Sequence, residues 1–199
     1  NGAGKTTTIK MLVGINKPDS GSVAINDRSP LDPETRQEIG FMPEEPHFYD
    51  QLTGLEFLRF ISHLFQNESR SISELEMILK KTGIYEARNK RIRDYSKGMK
   101  QRLGFGQTLV NDPKYIFLDE PLDGLDPIGR IELKAILEEL KKEEKTIIFN
   151  SHILSDVENI SDQIGIIKKG RLIYSGPINE FRRDLSLEEQ FVKTIKQQS

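Results

Sequence analysis

Tyr115 to Leu118 is an apolar run with no alternation, and it is closed by Asp119, Glu120 and Pro121. An unbroken run of this kind predicts a strand of a sheet covered on both faces. Such sheets are parallel, and they need helical crossovers between their strands. Ligands of open α/β sheets bind beyond the carboxyl ends of the strands. The two carboxylates therefore stand where chemistry is done.

The other segments agree with that frame. Residues 6 to 13 read as a helix, with Ile9, Leu12 and Val13 on one face and Gly14 as its stop. Ser22 to Asn26 alternates like a strand, and Ile39-Gly-Phe-Met42 is a second one, ended by Pro43. Three helices are expected next. The first is marked by Leu55, Leu58, Ile61, Leu64 and Phe65; the second runs from Ile72 to Thr82, with Leu75, Ile78 and Leu79 inward; the third runs from Lys100 to Val110. Phe57, Phe60 and Phe65 fall at helical spacing and read as core. Then come a helix over 129–144 with Leu133, Ile136, Leu137 and Leu140 on one face, a strand from Thr146 to Phe149, and a short helix from Ile153 to Ile160. Ile164 to Ile167 and Leu172 to Tyr174 predict a hairpin. Leu187, Phe191 and Ile195 mark a tail helix from Leu185 to Lys196.

The predicted class is α/β, a core with a mainly parallel sheet and an inserted helical subdomain. The expected organisation is a discontinuous core over 1–50 and 113–180, a helical subdomain over 51–112 and a helical tail over 181–199.

Composition narrows the function. Hydrophobic residues are 36% and charged residues 30% of the 199, which suits a folded domain. The net charge of -2 gives no general attraction to nucleic acid or to an anionic membrane. Arg88-Asn-Lys-Arg-Ile-Arg93 is basic but has no aromatic platform, so no direct nucleic-acid partner is expected. Cysteine is absent, which excludes disulfides and thiolate metal sites. Ile116-Phe-Leu118 and Ile147-Ile-Phe149, the longest apolar runs, are far too short to span a bilayer. A membrane would have to be reached through a partner.

Asn1-Gly-Ala-Gly-Lys-Thr-Thr7 supplies the second half of the chemistry. Gly2 and Gly4 let backbone N–H groups turn onto phosphate oxygens at a helix N-terminus. Lys5 would reach the β- and γ-phosphates, and the Thr6 hydroxyl would ligate Mg²⁺. Asn1, Ala3 and Thr7 complete the candidate phosphate contacts. The full pattern has one more glycine, two residues before Asn1, so the chain is expected to begin inside this loop. Asp119 would hold Mg²⁺ through water, and Glu120 would polarise the attacking water.

Tyr95-Ser-Lys-Gly-Met-Lys-Gln-Arg102, just before the Asp-Glu strand, resembles the signature of the ATP-binding cassette (ABC) ATPases, usually Leu-Ser-Gly-Gly-Gln. Asp123-Gly-Leu-Asp126 is similar to that family's D-loop, and His152 to its switch histidine. The resemblance covers the chain up to about Phe181, and the tail is similar to the C-terminus of exporter-type cassettes. It implies a P-loop NTPase core and an ATP-binding subunit of a transporter that moves a solute in the export direction, on the inner face of the cell membrane through a separate membrane subunit. ATP and Mg²⁺ are the implied cofactors, and a second cassette is the implied partner. In that arrangement Ser96 and Gly98 of one chain meet the γ-phosphate held by the other. Asp126 ties the two sites together, and His152 contacts the γ-phosphate. An alternative is a soluble ABC-type ATPase acting on nucleic acid or ribosomes; a non-hydrolysing nucleotide-binding regulator is disfavoured by the retention of Lys5, Asp119, Glu120 and His152.

Two segments depart from the family pattern. Lys97 and Met99 replace a glycine and the glutamine of the signature. Lys97 either adds charge near the phosphate or points to solvent. In Gly40-Phe-Met-Pro-Glu-Glu-Pro46, Glu44, or Glu45 with the register shifted by one, stands where the family has a glutamine that touches Mg²⁺ and water. Phe48, Tyr49 and Leu52 follow, where the family docks its membrane partner. The resemblance also implies strands and an adenine-stacking aromatic residue before the phosphate loop. A chain starting at Asn1 is therefore expected to be marginally stable alone and to bind ATP weakly.

Overall fold

The computed structural model describes residues 2–65, 70–182 and 184–197. In chain order the elements are α1 (Lys5–Leu12), α2 (Pro33–Gln37), β1 (Ile39–Met42), α3 (Gly54–Leu64), α4 (Ile72–Lys81), α5 (Lys97–Thr108) and β2 (Tyr115–Asp119). There follow α6 (Pro127–Lys142), β3 (Thr146–Asn150), α7 (Leu154–Ile160), β4 (Gln163–Lys168), β5 (Arg171–Pro177), α8 (Ile178–Arg182) and α9 (Leu187–Gln197).

β1, β2 and β3 form a parallel sheet in that order. The unbroken apolar run makes β2 the central strand, and Ile116, Phe117 and Leu118 are buried on both faces. Ile116 and Leu118 join Leu133, Ile136, Leu137 and Leu140 of α6 in one core. Phe117 joins Ile9 of α1 and Val13, just beyond its end, in another. The register sets Asp119 opposite Asn150, so the carboxyl ends of β2 and β3 finish together.

α3, α4 and α5 build a separate cluster from Phe57, Leu58, Leu75, Leu79 and Leu103. Capping boxes start the first two: Thr53 with Glu56, and Ser71 with Glu74. α5 touches the sheet through Gly40. A Cβ added there would lie 2.4 Å from the Thr108 carbonyl oxygen and 2.8 Å from Pro113 Cγ. Gly40→Ala must therefore push α5 off β1, and overpacking of this kind costs about 1–3 kcal/mol. Chemical denaturation should show a lower midpoint with an unchanged slope; an unchanged midpoint would mean that α5 and β1 do not meet this closely.

Several expectations need correction. Ser22 to Asn26 is not a strand. Asn26 and Asp27 take left-handed φ of 50° and 62°, and Ile25 bonds back to Arg28 across the turn. The alternating pattern turns back on itself instead of pairing with a neighbour. α5 begins at Lys97 rather than Lys100, because the Ser96 hydroxyl accepts from the Met99 N–H and starts the helix early. α6 begins at Pro127, with Asp126 as its cap and proline at its first position. Phe57 is core, but Phe60 is 39% exposed and Phe65 is only half-buried. The hairpin and the tail helix form as expected, and Leu187 of the tail is buried with Ile164, Ile166 and Phe181.

Candidate functional site

Gly2 and Gly4 have φ of 74° and 106°, conformations that side chains rarely adopt. They turn the chain into α1, whose cap Gly4 offers no side chain to the first-turn N–H groups. α1 also has no acid in its first turn. Its N-terminus keeps donors and partial positive charge for an external anion. Gly170, at the β4–β5 turn, packs on this loop, and its N–H donates to the Ala3 carbonyl at 2.9 Å. Asn1 lies outside the described residues, and Thr7 is exposed at the start of α1.

Thr6 stands on α1 and Asp119 at the end of β2. The Thr6 hydroxyl donates to Asp119 Oδ1 at 3.1 Å. Asp119 is fully buried, and its Oδ2 has no hydrogen-bond partner among the described residues. A buried carboxylate oxygen without a donor is costly unless something charged comes to it. Two hard oxygen ligands side by side suit Mg²⁺.

Glu120 is the meeting point. Its Oε1 lies 3.8 Å from Lys5 Nζ, and its Oε2 lies 2.9 Å from His152 Nδ1 and accepts from the His152 N–H at 3.2 Å. The residue is 9% exposed, with φ of 50°. Its main-chain N–H donates to Asn150 Oδ1 at 2.9 Å, and its carbonyl accepts from Gln101 Nε2 at 3.3 Å. The sequence reading missed Gln101, Asn150 and Gly170. Gln101, one residue before Arg102 inside the signature segment, and Asn150, two residues before His152, had motifs that could have drawn attention to them; Gly170 had none.

The remaining candidates make contacts of their own. Ser96 caps α5, and Gly98 faces the 123–126 turn, with Gly124 O 3.6 Å from where its Cβ would be. Among the described residues, no hydrogen bond joins Ser96 or Gly98 to the phosphate loop. Asp126 caps α6 by accepting from the Gly129 N–H at 2.8 Å. Glu44 is exposed.

Lys97 neither reaches the phosphate loop of its own chain nor floats free. Its Nζ donates to Asp123 Oδ2 at 2.7 Å. That bond raises the Lys97 pKa, helped by the charges of Glu45 and Glu44, and it holds the Asp123 carboxyl below the ordinary carboxylate range. The signs set the pH window. Asp123 contributes stability above its unfolded pKa and loses it as pH falls through the folded value; Lys97 contributes below its unfolded pKa and loses it as pH rises through the folded one. Lys97→Met should therefore lower the melting temperature slightly at neutral pH and low salt. The difference should vanish in strong acid or high salt. A deficit that persists there would assign Lys97 a packing role.

Comparison with known proteins gives a consistent result. The family model described as ABC transporter matches residues 1–123. An uncharacterized ABC transporter ATP-binding protein of Synechocystis sp. is 44% identical over 187 residues, covering 90% of this chain and 52% of that protein. The chain thus spans about half the length of that relative. A lantibiotic transport ATP-binding protein of Streptococcus pyogenes is 39% identical over 195 residues, with coverage of 98% and 82%. Among solved structures, an ATP binding subunit of an ABC transporter superposes with a TM-score of 0.88 at 32% identity, covering 98% of this chain and 85% of that one.

Proposed function

This chain belongs to the ABC transporter family, and we propose from that premise that it carries out Mg-ATP hydrolysis as part of a transporter's ATP-binding subunit. The observation that supports this best is the Glu120 carboxylate. It meets Lys5 on one side and His152 on the other, directly beside the Thr6–Asp119 pair. Three segments distant in sequence converge on one carboxylate at the ends of the strands.

The roles follow from the geometry. The phosphates of ATP lie against the N–H groups of Gly2 to Thr7, and the Lys5 ammonium turns from Glu120 to the β- and γ-phosphates. Thr6 and Asp119 hold Mg²⁺, which when bound neutralises phosphate charge. Glu120 accepts a proton from water as the water oxygen attacks the γ-phosphorus. The bond from that phosphorus to the bridging oxygen breaks, its electron pair stays with ADP, and inorganic phosphate leaves. His152, bonded to Glu120, holds the carboxylate and lies in reach of the γ-phosphate.

Residues 1–50 and 113–180 act as the ATPase core, 51–112 as the helical subdomain and 181–199 as the tail. Among the described residues no hydrogen bond joins Ser96 or Gly98 to the phosphate loop of their own chain, which suits a role across a head-to-tail dimer with a second cassette. Asp126 would tie the two sites together in that dimer, and Glu44 would contact Mg²⁺ and water. Among the described residues no helix is long and apolar enough to cross a membrane. Coupling runs through a separate membrane subunit, which places the chain at the inner membrane face, and export is the direction the resemblance implies. Tyr49, 56% exposed and edge-on to Phe60 at 5.3 Å, offers an aromatic surface for that subunit.

The dimer is tested with the full-length Glu120→Gln protein, where ATP stays bound. Light scattering should give the mass of two chains with Mg-ATP and of one with Mg-ADP. One mass under both conditions would contradict the composite site.

A further inference from the structure

Glu120 is held by its main chain from two directions, and one hold comes from the helical segment. Gln101 lies on α5, the helix that begins at the signature, and is 4% exposed. Its Nε2 donates to the Glu120 carbonyl at 3.3 Å and to the Pro121 carbonyl at 3.2 Å. One buried amide thus reaches the two peptide units where the chain leaves β2.

That turn needs holding. Glu120 is a non-glycine residue at φ of 50°, and it precedes a proline, which further narrows its backbone choices. Strained residues at functional sites persist only where their surroundings over-determine them. Asn150 fixes the N–H from β3, and Gln101 fixes the carbonyl from α5. The carboxylate's aim follows from this backbone, because its χ angles start there.

We propose that Gln101 is a positioning residue: it fixes the carbonyl of Glu120, and so ties the direction of the catalytic carboxylate to the position of α5. A shift of α5 relative to the sheet is then felt at Glu120 through one side chain. This rests on the reading of Glu120 as the group that accepts the water proton.

The test is a double-mutant cycle in the full-length protein with Gln101→Met, Glu120→Gln and both together. Methionine keeps the length and volume but removes the donor. For each protein, Mg-ATP hydrolysis gives kcat and KM, a fluorescent ATP analogue gives Kd, and thermal unfolding gives Tm. Gln101→Met should lower kcat by about 10²-fold, the size expected when a reacting group is misplaced by about an ångström. KM and Kd should stay at their wild-type values, because Lys5 and Thr6 are untouched. In the Glu120→Gln background, Gln101→Met should lower the residual rate no further, since it acts through that carboxylate.

Gln101→Glu is the second variant, in case methionine is not accommodated. Its rate relative to wild type should recover as pH falls, because a protonated glutamic acid regains a donor for the carbonyl. Wild-type kcat in Gln101→Met, equal losses in both backgrounds, or a parallel loss of kcat and ATP affinity would each overturn the proposal. If Glu120→Gln itself hydrolyses ATP normally, the reading of Glu120 falls and this proposal with it. If Glu120→Gln is inactive while Gln101→Met is normal, only the positioning role falls.

Discussion

Replacing Glu120 by glutamine is expected to slow hydrolysis by about 10²–10⁴-fold, the usual worth of a positioned general base. Binding of ATP should survive. Glutamine has the same length and shape, and both main-chain bonds that fix this residue, from Asn150 and Gln101, involve backbone atoms that the substitution does not alter. What is lost is the group proposed to take the proton. The carboxylate's contact with Lys5 at 3.8 Å is lost as well, which leaves that ammonium free for phosphate. Affinity should therefore hold or improve while turnover collapses. Single-turnover hydrolysis together with equilibrium binding separates the two. Turnover near wild type would move the base elsewhere, and a matching loss of affinity would make Glu120 a structural residue.

Asp119→Asn should move stability and activity in opposite directions. The native carboxylate is fully buried, with one hydrogen bond from Thr6 and an oxygen that no donor satisfies. Without ligand that arrangement is a cost, and a buried charge costs more than a buried amide. The neutral variant should be more stable by about 1 kcal/mol, a typical trade at a functional site. It should also lose the dependence of ATP binding on Mg²⁺, because its side chain brings no charge to the ion. Urea denaturation without nucleotide, and ATP titration with and without Mg²⁺, check the two halves. A less stable variant that still binds ATP in a Mg²⁺-dependent way would remove Asp119 from the metal site.

The legible parts of this chain are those where a local pattern decides the outcome. β1, β2 and β3 form where unbroken apolar runs end at Pro43, at the Asp119–Pro121 turn and at Asn150. The phosphate loop and the two carboxylates carry their chemistry in their spacing. Ser22–Asn26 misleads because alternation alone cannot supply a neighbouring strand, and Asn26-Asp27 tolerates the left-handed turn that replaces it. Phe60 has the spacing of a core residue but meets Tyr49 at the surface, since α3 turns only part of its apolar face inward. Gln101, Asn150 and Gly170 act through bonds to backbone atoms far away in the sequence, and no periodicity marks such bonds. Lys97 is legible as a departure from the signature, but its partner Asp123 is legible only in the fold. The left-handed backbone of Glu120 is likewise set from outside, by side chains of α5 and β3.

The measurement that bears most directly on the account is the rate of Mg-ATP hydrolysis per molecule across a range of full-length protein concentrations. If two chains complete each site, the rate per molecule rises with concentration, levels off, and disappears in Glu120→Gln. A rate per molecule that stays constant over the whole range would contradict it, because each chain would then be hydrolysing ATP alone.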